Sequence, residues 1–234
     1  MNIIKKLILR ERASSEEYIK YLKKRGVEIG EDVVFFRPFN TTIDVQNPHL
    51  LTIGNHVMIT GPVTVLTHDY SWCVIKRKYG VILGNQRKTQ IGDNVFIGWG
   101  ATILAGSIIG NNVIIGAGSI VSGHCENDSV YAGNPARRIM SLDEYFKKRK
   151  AKQFQEAVDY ILEYNNRFGE WPDEQKLDEY FFLFSSDPRN VDSFSRKMKL
   201  MMNEEVSYQE LQREERQFGS YEQFLEYVIQ LNKD

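Results

Sequence analysis

Residues 91–121 read IGDNVFIGWGATILAGSIIGNNVIIGAGSIV, and an aliphatic side chain returns at every sixth position of this stretch. The repeating residues are Ile91, Ile97, Ile103, Ile109, Ile115 and Val121. A period of six fits neither an α-helix, with its 3.6 residues per turn, nor a strand, whose side chains alternate. It is typical of a solenoid whose coils have three short sides of six residues each, so that every aliphatic residue stacks on the one three sides later.

The residues between the aliphatic positions support the same architecture. Three residues after the anchors stand Asn94, Gly100, Gly106, Asn112 and Gly118. Asparagine and glycine tolerate positive φ, which predicts corners at these positions. The phase continues upstream at Ile53, Ile59 and Val65, but the next anchor comes only at Ile91, and this interval is not a multiple of six. We therefore predict a loop extruded from the solenoid at about residues 70–88, and such loops are usually functional.

Both flanks of the repeat have helical patterns. In residues 1–26, Ser14 or Ser15 caps a helix that Gly26 ends. Before it, Ile3, Ile4, Leu7 and Ile8 share one helical face beside Lys5 and Lys6, which suits an interfacial membrane helix or, preferably, a short helix packed on protein. In residues 141–234, the capping box of Ser141 and Glu144 opens a region of about four helices. We expect three parts: residues 1–26, 27–140 and 141–234.

Composition narrows the class of protein. Of the 234 residues, 42% are hydrophobic and 26% are charged, which is typical of a soluble globular chain. The net charge of −1 provides no overall attraction to nucleic acid or anionic membrane. No window approaches the roughly 20 apolar residues of a membrane span, so we expect no stable membrane insertion. Two cysteines, Cys73 and Cys125, favour a reducing, cytoplasmic location over a disulfide-bonded protein.

His68 is the first candidate for chemistry. It stands in Val65-Leu-Thr-His-Asp-Tyr-Ser, where a regular coil ends and the extruded loop begins. A histidine side chain accepts protons near neutral pH, and a rigid surface beside a loop is a suitable place for acid–base catalysis. An imidazole that acts as a base also needs an orienting group, and Asp44 and Asp69 are the candidates.

Several segments resemble the hexapeptide-repeat O-acetyltransferases, which include galactoside, maltose and capsular polysaccharide enzymes. The similar segments lie within residues 27–140 and are Ile53-Gly-Asn-His-Val-Met-Ile-Thr, Leu66-Thr-His-Asp, Ile91-Gly-Asp-Asn-Val-Phe-Ile-Gly, Gly100-Ala-Thr-Ile-Leu, Ile115-Gly-Ala-Gly-Ser-Ile-Val and Ala132-Gly-Asn-Pro-Ala-Arg. The resemblance implies a mainly β fold, a left-handed parallel β-helix. It also implies direct acetyl transfer from acetyl-CoA with His68 as general base, no catalytic metal, and a homotrimer with active sites between subunits.

The same resemblance assigns further residues. It places Asn40 near the acceptor and matches Trp99, Gly100, Ala117, Ser122 and Arg137 to residues that contact coenzyme A. Arg137 would pair with a phosphate, for which a guanidinium is well suited. Galactoside enzymes usually have Thr-Lys where this chain has Ser122-Gly123-His124. The phosphate contact of that lysine is missing, so Arg137 or Arg138 would contribute more to binding the phosphate of coenzyme A.

Three alternatives remain in view. A zinc hydrolyase on the same fold needs closely spaced histidines, and the spacings of His49, His56, His68 and His124 do not supply the pair. A non-enzymatic β-helix assembly module would explain the repeat but not His68 beside the loop. Within the enzyme class, Thr-His-Asp-Tyr-Ser is closer to surface-polysaccharide enzymes, so a glycan hydroxyl is the preferred acceptor and an amino-sugar nitrogen is the alternative.

Overall fold

The computed structural model describes residues 9–185, 187 and 192–232, except the side chain of Ser193. Its contacts divide the chain into two compact units, with the boundary between Phe146 and Lys147. The three-part division predicted from the sequence stays a prediction. The apolar face of Ile3, Ile4, Leu7 and Ile8 lies outside the described residues.

The first unit is a three-sided parallel β-helix, as the six-residue period predicts. Successive strands join three sheets in turn, so that strands three places apart in sequence are neighbours in space. The first sheet contains β1 (Glu28–Ile29), β4 (Leu51–Ile53), β7 (Thr89–Ile91), β10 (Ile108–Ile109) and β13 (His124–Cys125). The second contains β2 (Val34–Phe35), β5 (Met58–Ile59), β8 (Val95–Ile97), β11 (Val113–Ile115), β14 (Ser129–Gly133) and the antiparallel β15 (Ala136–Ser141). The third contains β3 (Thr42–Ile43), β6 (Thr64–Val65), β9 (Thr102–Ile103) and β12 (Ile120–Val121).

The predicted stacking of aliphatic residues is confirmed in the register of these sheets. Ile91 lies opposite Ile109, and Ile103 lies opposite Val121. All the predicted anchors are buried and belong to one continuous core. The corner residues of the repeat also have the expected conformation, with φ of +53° at Asn94 and +76° at Gly100.

The breaks in the repeat correspond to short helical insertions. Two 3₁₀ turns, Pro38–Asn40 and Pro48–Leu50, lengthen the corners of the first coil. The segment between β6 and β7 leaves the coil and forms helix α2 (Trp72–Tyr79). Gly80 ends this helix with φ of +76° and donates its N–H to the Lys76 carbonyl. The insertion predicted as a loop therefore contains two turns of helix.

Helix α1 (Ser15–Arg25) covers the first coil. It begins at the N-cap Ser14, whose hydroxyl accepts from the Glu17 N–H, and it ends at Gly26 with φ of +100°. Tyr18 and Leu22 are fully buried in the β-helix core. The ring of Tyr18 meets Phe35 edge-on at 5.1 Å, so the helix closes an end of the solenoid that would otherwise expose apolar side chains.

The second unit is helical. The described residues after β15 contain α3 (Leu142–Phe168), α4 (Asp192–Met201), α5 (Glu204–Arg213) and α6 (Tyr221–Leu231). Ser141 and Glu144 form the predicted capping box at the start of α3. Val158 and Ile161 of α3 pack with Phe181, Phe184 and other residues in a core separate from that of the β-helix. Among the described residues, no helix is both long enough and apolar enough to span a bilayer.

Candidate functional site

Two corners of the β-helix contain the predicted site residues. The histidine corner is the set of turns that follow the third-sheet strands, at residues 44–46, 66–68, 104–106 and 122–123. The tryptophan corner is the set of turns between second-sheet and third-sheet strands, at residues 36–41, 60–63, 98–101 and 116–119. The outer face of the third sheet separates the two corners within one chain.

His68 lies at the histidine corner and contacts Asp44. Ile43 is paired with Val65, so the residues that follow these anchors leave the third sheet side by side. Nδ1 of His68 lies 2.5 Å from Oδ2 of Asp44, and the side chains are only 15% and 5% exposed. A carboxylate only accepts hydrogen bonds, so Nδ1–H is the donor, and in the neutral tautomer with this proton Nε2 carries the lone pair. Nε2 forms no hydrogen bond with any described residue.

A set of donors holds the Asp44 carboxylate in place. Oδ2 accepts from the backbone N–H of Thr67 at 2.9 Å and from its hydroxyl at 2.5 Å, and Oδ1 accepts from the N–H of Gln46 at 2.9 Å. Burial is the largest single influence and raises the pKa of Asp44, but the hydrogen bonds from Thr67, Gln46 and His68 together outweigh it. The pKa of Asp44 therefore lies below its ordinary value, and the group is an anion at neutral pH.

Asp69 forms different contacts. Its carboxylate accepts from the N–H of Ser71 at 2.9 Å, from the Ser71 hydroxyl at 2.6 Å and from the side-chain amide of Asn85. These bonds, led by the Ser71 hydroxyl, lower the pKa of Asp69. They also join the two ends of the extruded segment. Of the two orienting candidates, only Asp44 is bonded to the imidazole.

Tyr70 covers one side of His68. Its ring meets the imidazole edge-on at 5.0 Å between centroids. Its hydroxyl accepts from the side-chain amide of Gln46 at 2.7 Å and donates to the amide oxygen at 2.9 Å. The backbone N–H of Gln46 donates to Asp44. Gln46 therefore connects the loop residue Tyr70 to the carboxylate that holds the imidazole.

The tryptophan corner offers unpaired backbone donors. Ile97 is paired with Ile115, so Trp99 and Ala117 follow in equivalent turns of adjacent coils, about 4.8 Å apart along the axis. Both residues are exposed, and neither backbone N–H bonds to a described residue. Gly100 and Gly118, with φ of +76° and +68°, form the turns and add no side chain that would cover these donors.

The other predicted residues are dispersed. Arg137 lies opposite Ala132 on β15 and so continues the tryptophan corner beyond Ala117, whereas Nε of Arg138 lies 3.6 Å from Glu126. Ser122 lies at the histidine corner, two coils beyond Leu66. Asn40 is exposed in the 3₁₀ turn Pro38–Asn40 at the tryptophan corner. The chain thus aligns Trp99, Gly100, Ala117 and Arg137 on one edge and places His68 on another.

Comparison with known proteins identifies the family. Residues 88–123 match the family described as bacterial transferase hexapeptide (six repeats). The protein CapG of Staphylococcus aureus is 39% identical over 168 residues, which span 70% of this chain and 92% of CapG. A galactoside O-acetyltransferase of Lactococcus lactis is 32% identical over 148 residues, which span 55% of this chain and 70% of that enzyme. The chain belongs to the hexapeptide-repeat acetyltransferase family.

Solved structures include similar proteins. A galactoside acetyltransferase in complex with coenzyme A is 25% identical, with a TM-score of 0.43, over 62% of this chain and 82% of that one. In this hexapeptide-repeat acetyltransferase, no group of three or more His, Cys, Asp or Glu side chains within the described residues could hold a metal ion.

Sequence reasoning missed four residues around the sites of this acetyltransferase. Thr67 and Gln46 secure Asp44, Tyr70 packs on His68, and Arg37 lies against Trp99. The position of Thr67, two residues after the anchor Val65, is a signal for burial but does not reveal its partner. Gln46 and Arg37 lie where the repeat is interrupted, so the six-residue period gives no information about them.

Proposed function

We propose that this enzyme transfers an acetyl group from acetyl-CoA directly to a hydroxyl of a sugar or polysaccharide, with His68 as general base in a ternary complex. One observation carries the proposal. The imidazole is fixed through Nδ1 by an ionised, buried Asp44, which leaves the Nε2 lone pair available.

His68 would act on the acceptor hydroxyl. Acetyl-CoA supplies an activated acetyl thioester. Nε2 takes the hydroxyl proton while the sugar oxygen attacks the acetyl carbon, and the same proton returns to the departing thiol sulfur. Asp44 stabilises the imidazolium that exists between these steps, and a backbone N–H stabilises the negative oxygen.

The tryptophan corner would hold the cosubstrate. The unpaired N–H groups of Trp99 and Ala117 suit the amide-bearing arm of coenzyme A or the developing oxyanion, and Gly100 keeps the turn open. Arg137 continues the same edge, and its exposed guanidinium suits a phosphate. Ser122 and Arg138 do not lie on this edge. They would contact either a coenzyme A molecule bound by a neighbouring copy or a different portion of the same coenzyme A.

Family membership favours a left-handed coil and a homotrimer. His68 and the tryptophan corner are separated within one chain, so a neighbouring copy that presents its tryptophan corner to His68 would complete the site. Asn40 and Asp69 would then lie near the acceptor. The names of the relatives support a carbohydrate acceptor; transfer to an amino-sugar nitrogen is the alternative, and the same base would serve it.

His68→Asn is the direct test. Removing a positioned general base should lower kcat/KM about 10²- to 10⁴-fold, measured as thiol release from acetyl-CoA and as a mass increase of one acetyl group on the sugar. His56→Asn is a matched control, because His56 also lies beside an aspartate, Asp32, but in an exposed pair at 3.3 Å. Undiminished turnover in His68→Asn would refute the proposed role of His68.

A further inference from the structure

The guanidinium of Arg37 lies over two aromatic rings at the tryptophan corner. Its guanidinium carbon lies 4.9 Å from the centre of the Trp99 ring and 5.2 Å from the centre of the Phe39 ring. The side chain reaches from the first coil to the third, along the turn where Gly61 has no side chain. Stacking on aromatic faces orients a planar guanidinium while its N–H groups remain able to donate.

The charge of Arg37 is not neutralised within the described residues. Its guanidinium forms no ion pair and no hydrogen bond with any of them, in contrast to Arg149, which binds Glu156 through two nitrogens. Phe39 and Trp99 are 42% and 48% exposed, so the cluster of Arg37, Phe39 and Trp99 faces outward. An oriented, unpaired guanidinium on an aromatic support suits a carboxylate or a phosphate.

The position of Arg37 along the axis of the β-helix indicates whether its anionic ligand belongs to coenzyme A or to the acceptor. Arg137, the proposed phosphate contact, lies three coil steps from Trp99, roughly 14 Å at 4.8 Å per step. Arg37 approaches Trp99 from the opposite direction, on the coil that also contains Asp44. A coenzyme whose phosphates lie near Arg137 would therefore leave Arg37 beside the acceptor.

We infer that Arg37, supported by Phe39 and Trp99, binds an anionic group of the acceptor, so that the enzyme prefers acidic sugars such as hexuronic acids over neutral ones. This inference rests on the proposed function and deepens it. It makes Arg37 a specificity-determining residue that takes no part in proton transfer.

The test uses two probe acceptors, p-nitrophenyl β-galactoside and p-nitrophenyl β-galacturonide, which differ only at C6, where the galactoside has a hydroxymethyl group and the galacturonide a carboxylate. The full-length wild type should have the higher kcat/KM with the galacturonide. Arg37→Gln should lower that value about 10- to 100-fold and change the galactoside value less than about twofold, because one charge-assisted contact is lost. Arg37→Lys should recover part of the preference. Arg167→Gln, an equal change of charge at an exposed helical position, should alter neither.

Three results would overturn the inference: equal treatment of both sugars by the wild type, an increased KM for acetyl-CoA in Arg37→Gln, or loss of the oligomer in that variant. The last two would assign the guanidinium to coenzyme A or to a neighbouring copy. Ligand-observed NMR binding of the two probes gives the same comparison without turnover. Preferential binding of the galacturonide, with neither probe acetylated, would contradict the proposed function and leave the anion site intact.

Discussion

At the scale of single residues, the proposed acetyl transfer depends on the orientation of one imidazole. Asp44→Asn keeps the shape of the side chain but removes the charge that stabilises a protonated His68 and disturbs the bonds from Thr67 and Gln46. We expect kcat/KM to fall about 10²- to 10⁴-fold, as in other histidines that lose a carboxylate partner, while the Kd of acetyl-CoA stays unchanged. Thiol release and calorimetric titration measure the two quantities.

A second His–Asp pair provides the control for Asp44→Asn. Asp32 lies 3.3 Å from His56, but both side chains are about half exposed, and Asp32 has φ of +58°, which asparagine tolerates. Asp32→Asn should leave turnover within about twofold of wild type, since an exposed pair contributes little. Equal losses in the two variants would mean that Asp44 serves general stability and not the orientation of His68.

The sequence could propose the residues of this site but not choose between them. Asp69 is adjacent to His68 in sequence, yet its carboxylate turns to Ser71 and Asn85. Asp44 is distant in sequence and becomes a neighbour through the pairing of Ile43 with Val65. That pairing cannot be derived from the period, because the 3₁₀ turns at Pro38 and Pro48 insert residues on both sides of Ile43.

At the scale of elements, the coils depend on close contact between backbones. A Cβ added at Gly98 would lie 2.6 Å from the backbone N of Ala117 and 2.8 Å from the carbonyl oxygen of Ile115. Neither atom belongs to a flexible side chain, so Gly98→Ala must push two coils apart. We expect it to lower the free energy of unfolding by about 1–3 kcal/mol, measured by denaturant titration with circular dichroism.

Gly84 is the matched position for this experiment. A Cβ there would meet no atom within 4 Å, and its φ is not in the positive region. Gly84→Ala should therefore change the free energy of unfolding by no more than about 0.5 kcal/mol. If the two variants unfolded at the same denaturant concentration, close packing at Gly98 would not limit the stability of the coil.

Elements that repeat were predictable, and elements that interrupt the repeat were not. The burial of anchors from Ile53 to Val121 follows from spacing alone, since each side of the coil has the same length. Helix α2 was missed because Trp72–Tyr79 lies in a segment where no period operates. Gly80 was the available signal, because a glycine after a run that includes Lys76 and Arg77 is typical of a helix end.

At the scale of the whole molecule, the two halves of the proposed site do not meet within one chain. Pro62 lies beside Gly100 at the tryptophan corner, and His68 follows six residues later, up to roughly 20 Å away at 3.3 Å per residue. A rotationally symmetric trimer repeats each corner three times and can place the histidine corner of one copy against the tryptophan corner of the next. Light scattering should then give the mass of three chains.

Mixing two inactive variants tests this arrangement directly. His68→Asn removes the base, and Ala117→Trp fills the exposed turn proposed for acetyl-CoA, so each variant alone should have little activity. In mixed trimers, a site is intact when the Ala117→Trp variant supplies its histidine corner and the His68→Asn variant supplies its tryptophan corner. Random assembly in equal amounts should restore about a quarter of the wild-type activity per site.

The control for this mixture combines His68→Asn with a double variant that carries both substitutions. No copy then has His68, so mixing should restore no activity even though the same trimers form. If the mixture of single variants also stayed inactive while mass spectrometry detected mixed trimers, both corners would have to come from the same chain. The proposal that each site is shared between two copies would then be wrong. His68 would have to reach acetyl-CoA bound at the tryptophan corner of its own chain, across the third sheet.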